Sequence, residues 1–134
     1  MPIAVLDASA LIAFLRGEQG AEVVRSILED EGTDLVAHVF NLCEVYKDFL
    51  GAEGEGTAST AIQDLLDLGI QPREDMDQKF WMDLAQFKKT FKVPWGDSFL
   101  IAMARRVGGE IVTADHKDFD AIATSFPQPV RFIR

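Results

Sequence analysis

The chain has 134 residues, 48% hydrophobic and 26% charged, which suits one compact domain with a filled core. Thirteen basic residues against 22 acids leave a net charge of −9, so bulk charge excludes ordinary electrostatic capture of nucleic acid; local basic patches or a metal would have to do it. No apolar run is longer than residues 99–104, far short of a membrane span, and Met1-Pro2 leads straight into a strand-like run with no room for a signal peptide. Cys43 is the only cysteine, so no internal disulfide can form; with the preceding features this predicts a cytoplasmic protein.

In chain order, residues 3–6 (IAVL) predict a short buried strand and 8–16 a helix stopped near Gly17. Residues 21–31 carry Val23, Val24, Ile27 and Leu28 at helical spacing, and 34–39 predict a second strand. A helix follows over 41–50, with Leu42, Val45, Tyr46 and Phe49 on one face. "GAEGEG" (51–56) predicts a flexible link, and 57–68 another helix. Residues 70–73 predict a weak strand, 76–91 a long helix, "KVPWGD" a turn and 97–107 a helix closed by Gly108-Gly109. Residues 110–113 predict a strand, 119–124 a short helix and 130–133 a last strand. Strands alternating with helices predict an α/β sandwich around a mostly parallel sheet of four to five short strands, the whole of residues 1–134 forming one domain. In such sheets ligands bind beyond the carboxyl ends of the strands.

Acids sit at those ends. Asp7 ends the first strand, and Asp115 follows "EIVT" in "TADHKDF". Glu44 lies early in the helix after the second strand, and Asp97 opens the helix after "VPWG". From Asp97 the positions i+3, i+4 and i+7 are Leu100, Ile101 and Ala104, so Asp97 lies on the face turned toward the protein, where the helix dipole favours an anion. Each acid also has an ordinary role: Asp7 and Asp97 as helix caps or first-turn acids, Glu44 as a surface acid, Asp115 as a turn former. If the four converge, they cannot all remain ionised without compensation; some take up protons or a cation sits among them. An all-oxygen set suits Mg²⁺ or Mn²⁺ rather than zinc, and such an ion can activate water against a phosphodiester.

"VLDASALIAFL", "NLCEVY", "WGDSFLIAMA" and "IVTADHKDF" resemble, in this order, the acidic motifs of PIN-domain ribonucleases, most closely the VapC-type toxins of toxin–antitoxin pairs. The likeness runs from the first strand past Asp118. It implies a PIN-like three-layer α/β/α sandwich. It also implies that Asp7, Glu44, Asp97 and Asp115 bind the metal and carry catalysis. Ser9 matches a hydroxyl residue two positions after the first acid, and Thr113 the hydroxyl residue before the last; both are implied supports of the site. Asp118, in the same loop, is a further candidate ranked below the four, whereas Asp120 is assigned to the surface. Ala8 departs from the pattern, where Ser or Thr is common. The resemblance implies a Mg²⁺- or Mn²⁺-dependent endoribonuclease that leaves a 5′-phosphate, a homodimer, and a VapB-type antitoxin that masks the site. A housekeeping RNA-processing nuclease is the alternative within the family.

Two other classes fit less well. A phosphotransfer domain with Asp7 as nucleophile expects a second Asp two residues on, where Ser9 stands. A receiver-like binding module expects a central phospho-acceptor Asp and a late Lys, neither of which is evident. Lys88, Lys89, Lys92, Arg105 and Arg106 read first as solvated helix ends. His38 and His116 have no metal-ligand spacing, although His116 adjoins Asp115. Trp81 and Trp95 read as core or interface residues before base-stacking platforms, and Phe14, Phe40, Tyr46 and Phe49 as core.

Overall fold

The structure, a computed structural model, describes residues 2–134. Among the described residues the apolar runs form strands β1 (Ile3–Leu6), β2 (Asp34–His38), β3 (Gln71–Arg73), β4 (Glu110–Thr113) and β5 (Val130–Phe132). Between them lie helices α1 (Ala8–Arg16), α2 (Ala21–Glu29), α3 (Val39–Glu53), α4 (Glu55–Asp67), α5 (Gln78–Phe91), α6 (Trp95–Val107) and α7 (His116–Ala123). All five strands are parallel, in the order β3-β2-β1-β4-β5.

Successive residues of a strand point to opposite faces, and the core divides accordingly. Ala4, Leu6, Leu35, Ala37 and Val112 pack beneath α1 to α4. Val5, Val36 and Ile111 pack on the other face against Phe80, Leu100, Ile101 and Phe119 of α5 to α7. The result is a three-layer α/β/α sandwich. A parallel sheet covered on both faces explains why its strands read as unbroken apolar runs rather than alternating ones. The chain steps outward from β1 to β2 to β3, then returns through α5 and α6 to place β4 on the other side of β1. That reversal is a topological switch point, and it opens a crevice at the carboxyl ends of β1 and β4.

Local chemistry moves several predicted boundaries. The helix expected over 21–31 stops at Glu29, because the Asp30 carboxylate accepts from the Gly32 amide and the Thr33 hydroxyl, both at 2.9 Å, in a turn. The second strand ends at His38, whose Nδ1 accepts from the Phe40 amide at 3.0 Å and starts α3 two residues early. "GAEGEG" is not a flexible link. Helix α3 continues to Glu53, which Arg16 holds at 2.6 Å, and only Gly54 (φ 91°) separates it from α4. A helical glycine costs about 1 kcal/mol, which packing against α1 and α4 overrides here. The long helix starts at Gln78 rather than 76, because Arg106 reaches back to Asp75 at 3.0 Å and Asp77 at 2.8 Å and keeps that segment extended. The "KVPWGD" turn is shorter than expected: α6 begins at Trp95, directly after Pro94. No helix among the described residues is long and apolar enough to cross a membrane.

Candidate active site

The crevice is built on Asp7. Its amide donates to the Val112 carbonyl at 3.0 Å, which ties the end of β1 to β4. Its carboxylate caps α1 by accepting from the Ser9 amide at 3.2 Å. The ordinary role and the candidate one are thus compatible. Only 5% of Asp7 is exposed, and burial pushes its carboxyl above the usual range, with a further push from Asp115. Hydrogen bonds from Thr113 and Ser9 pull the other way.

Those two hydroxyls meet on one carboxylate oxygen. Thr113 Oγ1 lies 2.5 Å and Ser9 Oγ 3.0 Å from Asp7 Oδ2. Ser9 Oγ accepts from the Ala114 amide and Thr113 Oγ1 from the Asp115 amide, each at 3.0 Å. Each hydroxyl has one proton to give and lies in reach of Asp7, and the two oxygens also lie 3.3 Å from each other. The loop after β4 is therefore sewn to the end of β1 through two side chains. Thr113→Val keeps the shape but removes one donor from a buried carboxylate. It is expected to cost about 1–3 kcal/mol in urea denaturation at neutral pH, with a smaller loss in acid, where Asp7 is protonated in both states.

Three further acids reach the crevice. Glu44 on α3 receives the Asn41 amide at 3.1 Å, and the same Asn41 Nδ2 donates to the Gly96 carbonyl at 3.0 Å. Asn41 is fully buried, so it fixes Glu44 and the first turn of α6 together. Burial raises the Glu44 carboxyl; Asn41 lowers it and Asp7 raises it. A Cβ on Gly96 would lie 2.4 Å from both Glu44 carboxylate oxygens, so the carboxylate occupies space that only glycine leaves open. Asp115 caps α7, accepting from the Asp118 amide at 3.1 Å, and burial and the Asp118 carboxyl raise its titration.

Asp97 is the most perturbed. Leu100, Ile101 and Ala104 on its helix face are fully buried, so it is directed inward, as the spacing predicts. Burial comes first among the causes that push its carboxyl up to about 9, followed by Asp118 and by the charges of Asp7 and Asp115. Its Oδ2 is buried with no hydrogen-bond partner.

Asp7, Glu44, Asp97 and Asp115 line one open cleft of about 280 Å³, together with Ser9, Lys47 and Asp48. Thr113 lies buried beneath it. Carboxylate oxygens of Asp97, Asp115 and Asp118 lie within 4.8 Å of one another, a spacing that can hold a cation. The start of α7 thus brings Asp118 beside Asp97 and Asp115, although it does not line the cleft with the other four. The donor set is all oxygen, and the orphaned Asp97 Oδ2 fits a hard cation. His116 turns away, with Nδ1 on Asp120 and Nε2 on the Arg134 carbonyl, both at 2.7 Å. His38 is used by the Phe40 amide and the Asp75 carbonyl. Gly96 and Lys47 carry no signal in the sequence. Asn41 shares a helix stripe with Glu44, which places it near that acid but does not announce its bond to Gly96.

The PIN domain family model matches residues 4–124. Among solved structures, a chain of a toxin–antitoxin complex from Klebsiella pneumoniae is similar at TM-score 0.73 and 18% identity, covering 98% of both chains. A chain of VapBC-1 from nontypeable Haemophilus influenzae is similar at TM-score 0.71 and 19% identity, again over 98% of both. VapC20 from Mycobacterium tuberculosis, described as a sarcin-ricin loop cleaving toxin, is similar at TM-score 0.69 and 14% identity, over 89% of this chain and 94% of that one. Curated protein sequences provide no match. With its parallel sheet, its acids gathered at the switch point and a family match over nearly the full chain, this protein belongs to the PIN-domain family.

Proposed function

We propose that the chain is a divalent-metal-dependent endoribonuclease and the toxin of a VapBC-type pair. The observation that carries the reading is the convergence of Asp7, Glu44, Asp97 and Asp115 on one cleft, with a buried, unpartnered oxygen on Asp97. These four would hold Mg²⁺ or Mn²⁺, with Asp118 beside them. Such an ion supplies Lewis-acid polarisation of a phosphodiester and a water nucleophile at neutral pH.

The chain's own residues do the rest. Ser9 and Thr113 orient the Asp7 carboxylate, and Asn41 orients Glu44, so neither has to reorganise during the reaction. Burial and the neighbouring acids push the Asp97 carboxyl up to about 9 in the metal-free chain, so a cation taking its place in the cleft would displace a proton from it. Hydrolysis forms a bond from water oxygen to phosphorus and breaks the P–O3′ bond. The water's proton is lost to a base or solvent, O3′ takes one up, and a 5′-phosphate and a 3′-hydroxyl result.

The toxin role and the partnership with a VapB-type antitoxin are supported by the likeness to chains from toxin–antitoxin complexes. A homodimer is part of the same reading. The test is incubation of total RNA with the purified chain. Discrete cleavage with Mn²⁺ or Mg²⁺, abolished by chelator and restored by excess metal, is expected. Induced expression without a partner is expected to arrest growth. Cleavage that persists in chelator overturns the metal-dependent reading, and cleavage without growth arrest favours a housekeeping nuclease.

A further inference from the structure

Lys47 lines the acidic cleft beside Glu44, three residues on and on the same face of α3. It is the one basic residue among the groups lining that cleft. A lysine among so many carboxylates should be paired, yet Lys47 makes no ion pair among the described residues. The acid next to it in sequence, Asp48, is held instead by Arg16 at 2.9 Å, and the other end of the same guanidinium holds Glu53 at 2.6 Å. Arg16 is seated over the Phe49 ring, 4.2 Å from its centroid, which fixes it in that role. Arg16 therefore neutralises the rim acid and leaves the Lys47 ammonium exposed at the mouth of the cleft, where its charge draws the Glu44 carboxyl down without forming an ion pair.

We propose that Lys47 binds a phosphate of the RNA strand next to the scissile bond. The inference rests on the nuclease reading and names a substrate contact for that same site. In a chain of net charge −9, an incoming polyanion needs a cation at the cleft itself, and an ammonium serves as a non-directional point charge for phosphate. The rival role is purely internal: Lys47 would offset repulsion among the acids and touch nothing else.

The two roles separate kinetically. With an RNA oligonucleotide spanning a site mapped in total RNA, at saturating Mn²⁺, Lys47→Ala is expected to raise KM about tenfold with kcat little changed. The dependence of log(kcat/KM) on log salt should become shallower by about 0.7, the loss of one single-strand phosphate contact. Lys47→Arg should restore both. Binding of a labelled single-stranded RNA, followed by anisotropy in an Asp97→Asn background, should weaken by a similar factor when Lys47 is also replaced. Unchanged KM and salt slope in Lys47→Ala, or a fall in kcat at constant KM, overturns the proposal while leaving the nuclease reading standing. A wild-type chain that cleaves no RNA defeats the nuclease reading instead. Lys47 is then decided by the anisotropy alone, where equal binding with and without it overturns the contact.

Discussion

Asp97→Asn is expected to reduce RNA cleavage by at least about a hundredfold, while the metal-free protein becomes more stable rather than less. The two effects have one cause. Asp97 sits among Asp7, Asp115 and Asp118, and burial with those neighbours lifts its carboxyl from 3.8 to about 9. The folded chain without metal thus holds a proton that the unfolded chain releases above pH 4. Stability from this group is full below the unfolded value, falls as pH rises through the window between 3.8 and about 9, and is flat above it. Asp7, Glu44 and Asp115 are raised as well and slope the same way. Asparagine has the same shape and no charge, so it removes the Asp97 share of that slope. Solvent still reaches part of this carboxyl, which screens the effect, so a gain of roughly 5 °C in melting temperature at pH 8 is expected. The gain should vanish near pH 4.

Divalent metal should reverse the order of the two proteins. Ligands bind an ion only when deprotonated, so Mn²⁺ should stabilise the wild-type chain more at pH 8 than at pH 5. The asparagine variant should gain much less. Thermal melts of both proteins with and without Mn²⁺ at these pH values, next to a cleavage assay, check all of this. Equal cleavage by the two proteins would remove Asp97 from the chemistry, and equal metal-free melts at pH 8 would remove the charge crowding.

What the sequence conveyed was periodic or terminal. The inward direction of Asp97 followed from Leu100, Ile101 and Ala104, because helix geometry alone decides which residues share a face. Asp7 and Asp115 at strand ends followed from two short apolar runs that the sheet makes parallel neighbours. What was hidden is long-range. The Asn41–Gly96 hydrogen bond joins residues 55 apart in sequence, and no local pattern announces that a buried amide will bridge α3 and α6. The place of Asp118 beside Asp97 and Asp115 was hidden because the sequence predicts the last helix only from residue 119. Asp115 caps that helix three residues earlier, and the cap brings the Asp118 amide, and the residue with it, back to the site. The misread "GAEGEG" has the same origin, since a tertiary ion pair to Glu53 extends a helix that composition alone would end.

Two glycines should separate function from stability in opposite senses. In Gly96→Ala the new methyl would meet both Glu44 oxygens at 2.4 Å, but those oxygens end a flexible side chain that can swing aside. Alanine also suits a helix better than glycine by up to about 1 kcal/mol. Urea stability should therefore stay within about 1 kcal/mol of wild type, while metal affinity and cleavage fall about 10- to 100-fold because Glu44 has lost its place. In Gly20→Ala the obstacle is different. Gly20 has φ 93°, and its Cβ would lie 2.6 Å from the backbone oxygen of Ile133, which cannot rotate away. The same seam is closed by Arg134 on the Gln19 carbonyl at 2.9 Å, so the clash falls where the chain end packs on the turn before α2. A loss of about 2–4 kcal/mol is expected from strain and clash together, with cleavage under folding conditions retained, because neither Gly20 nor Ile133 lines the acidic cleft. Denaturation midpoints, Mn²⁺ titration and cleavage rates of the two variants measured side by side decide the matter. Wild-type cleavage by Gly96→Ala would show that the position of Glu44 is immaterial. A Gly96→Ala protein as unstable as Gly20→Ala would show that the α3–α6 seam itself, and not the carboxylate it seats, requires the glycine.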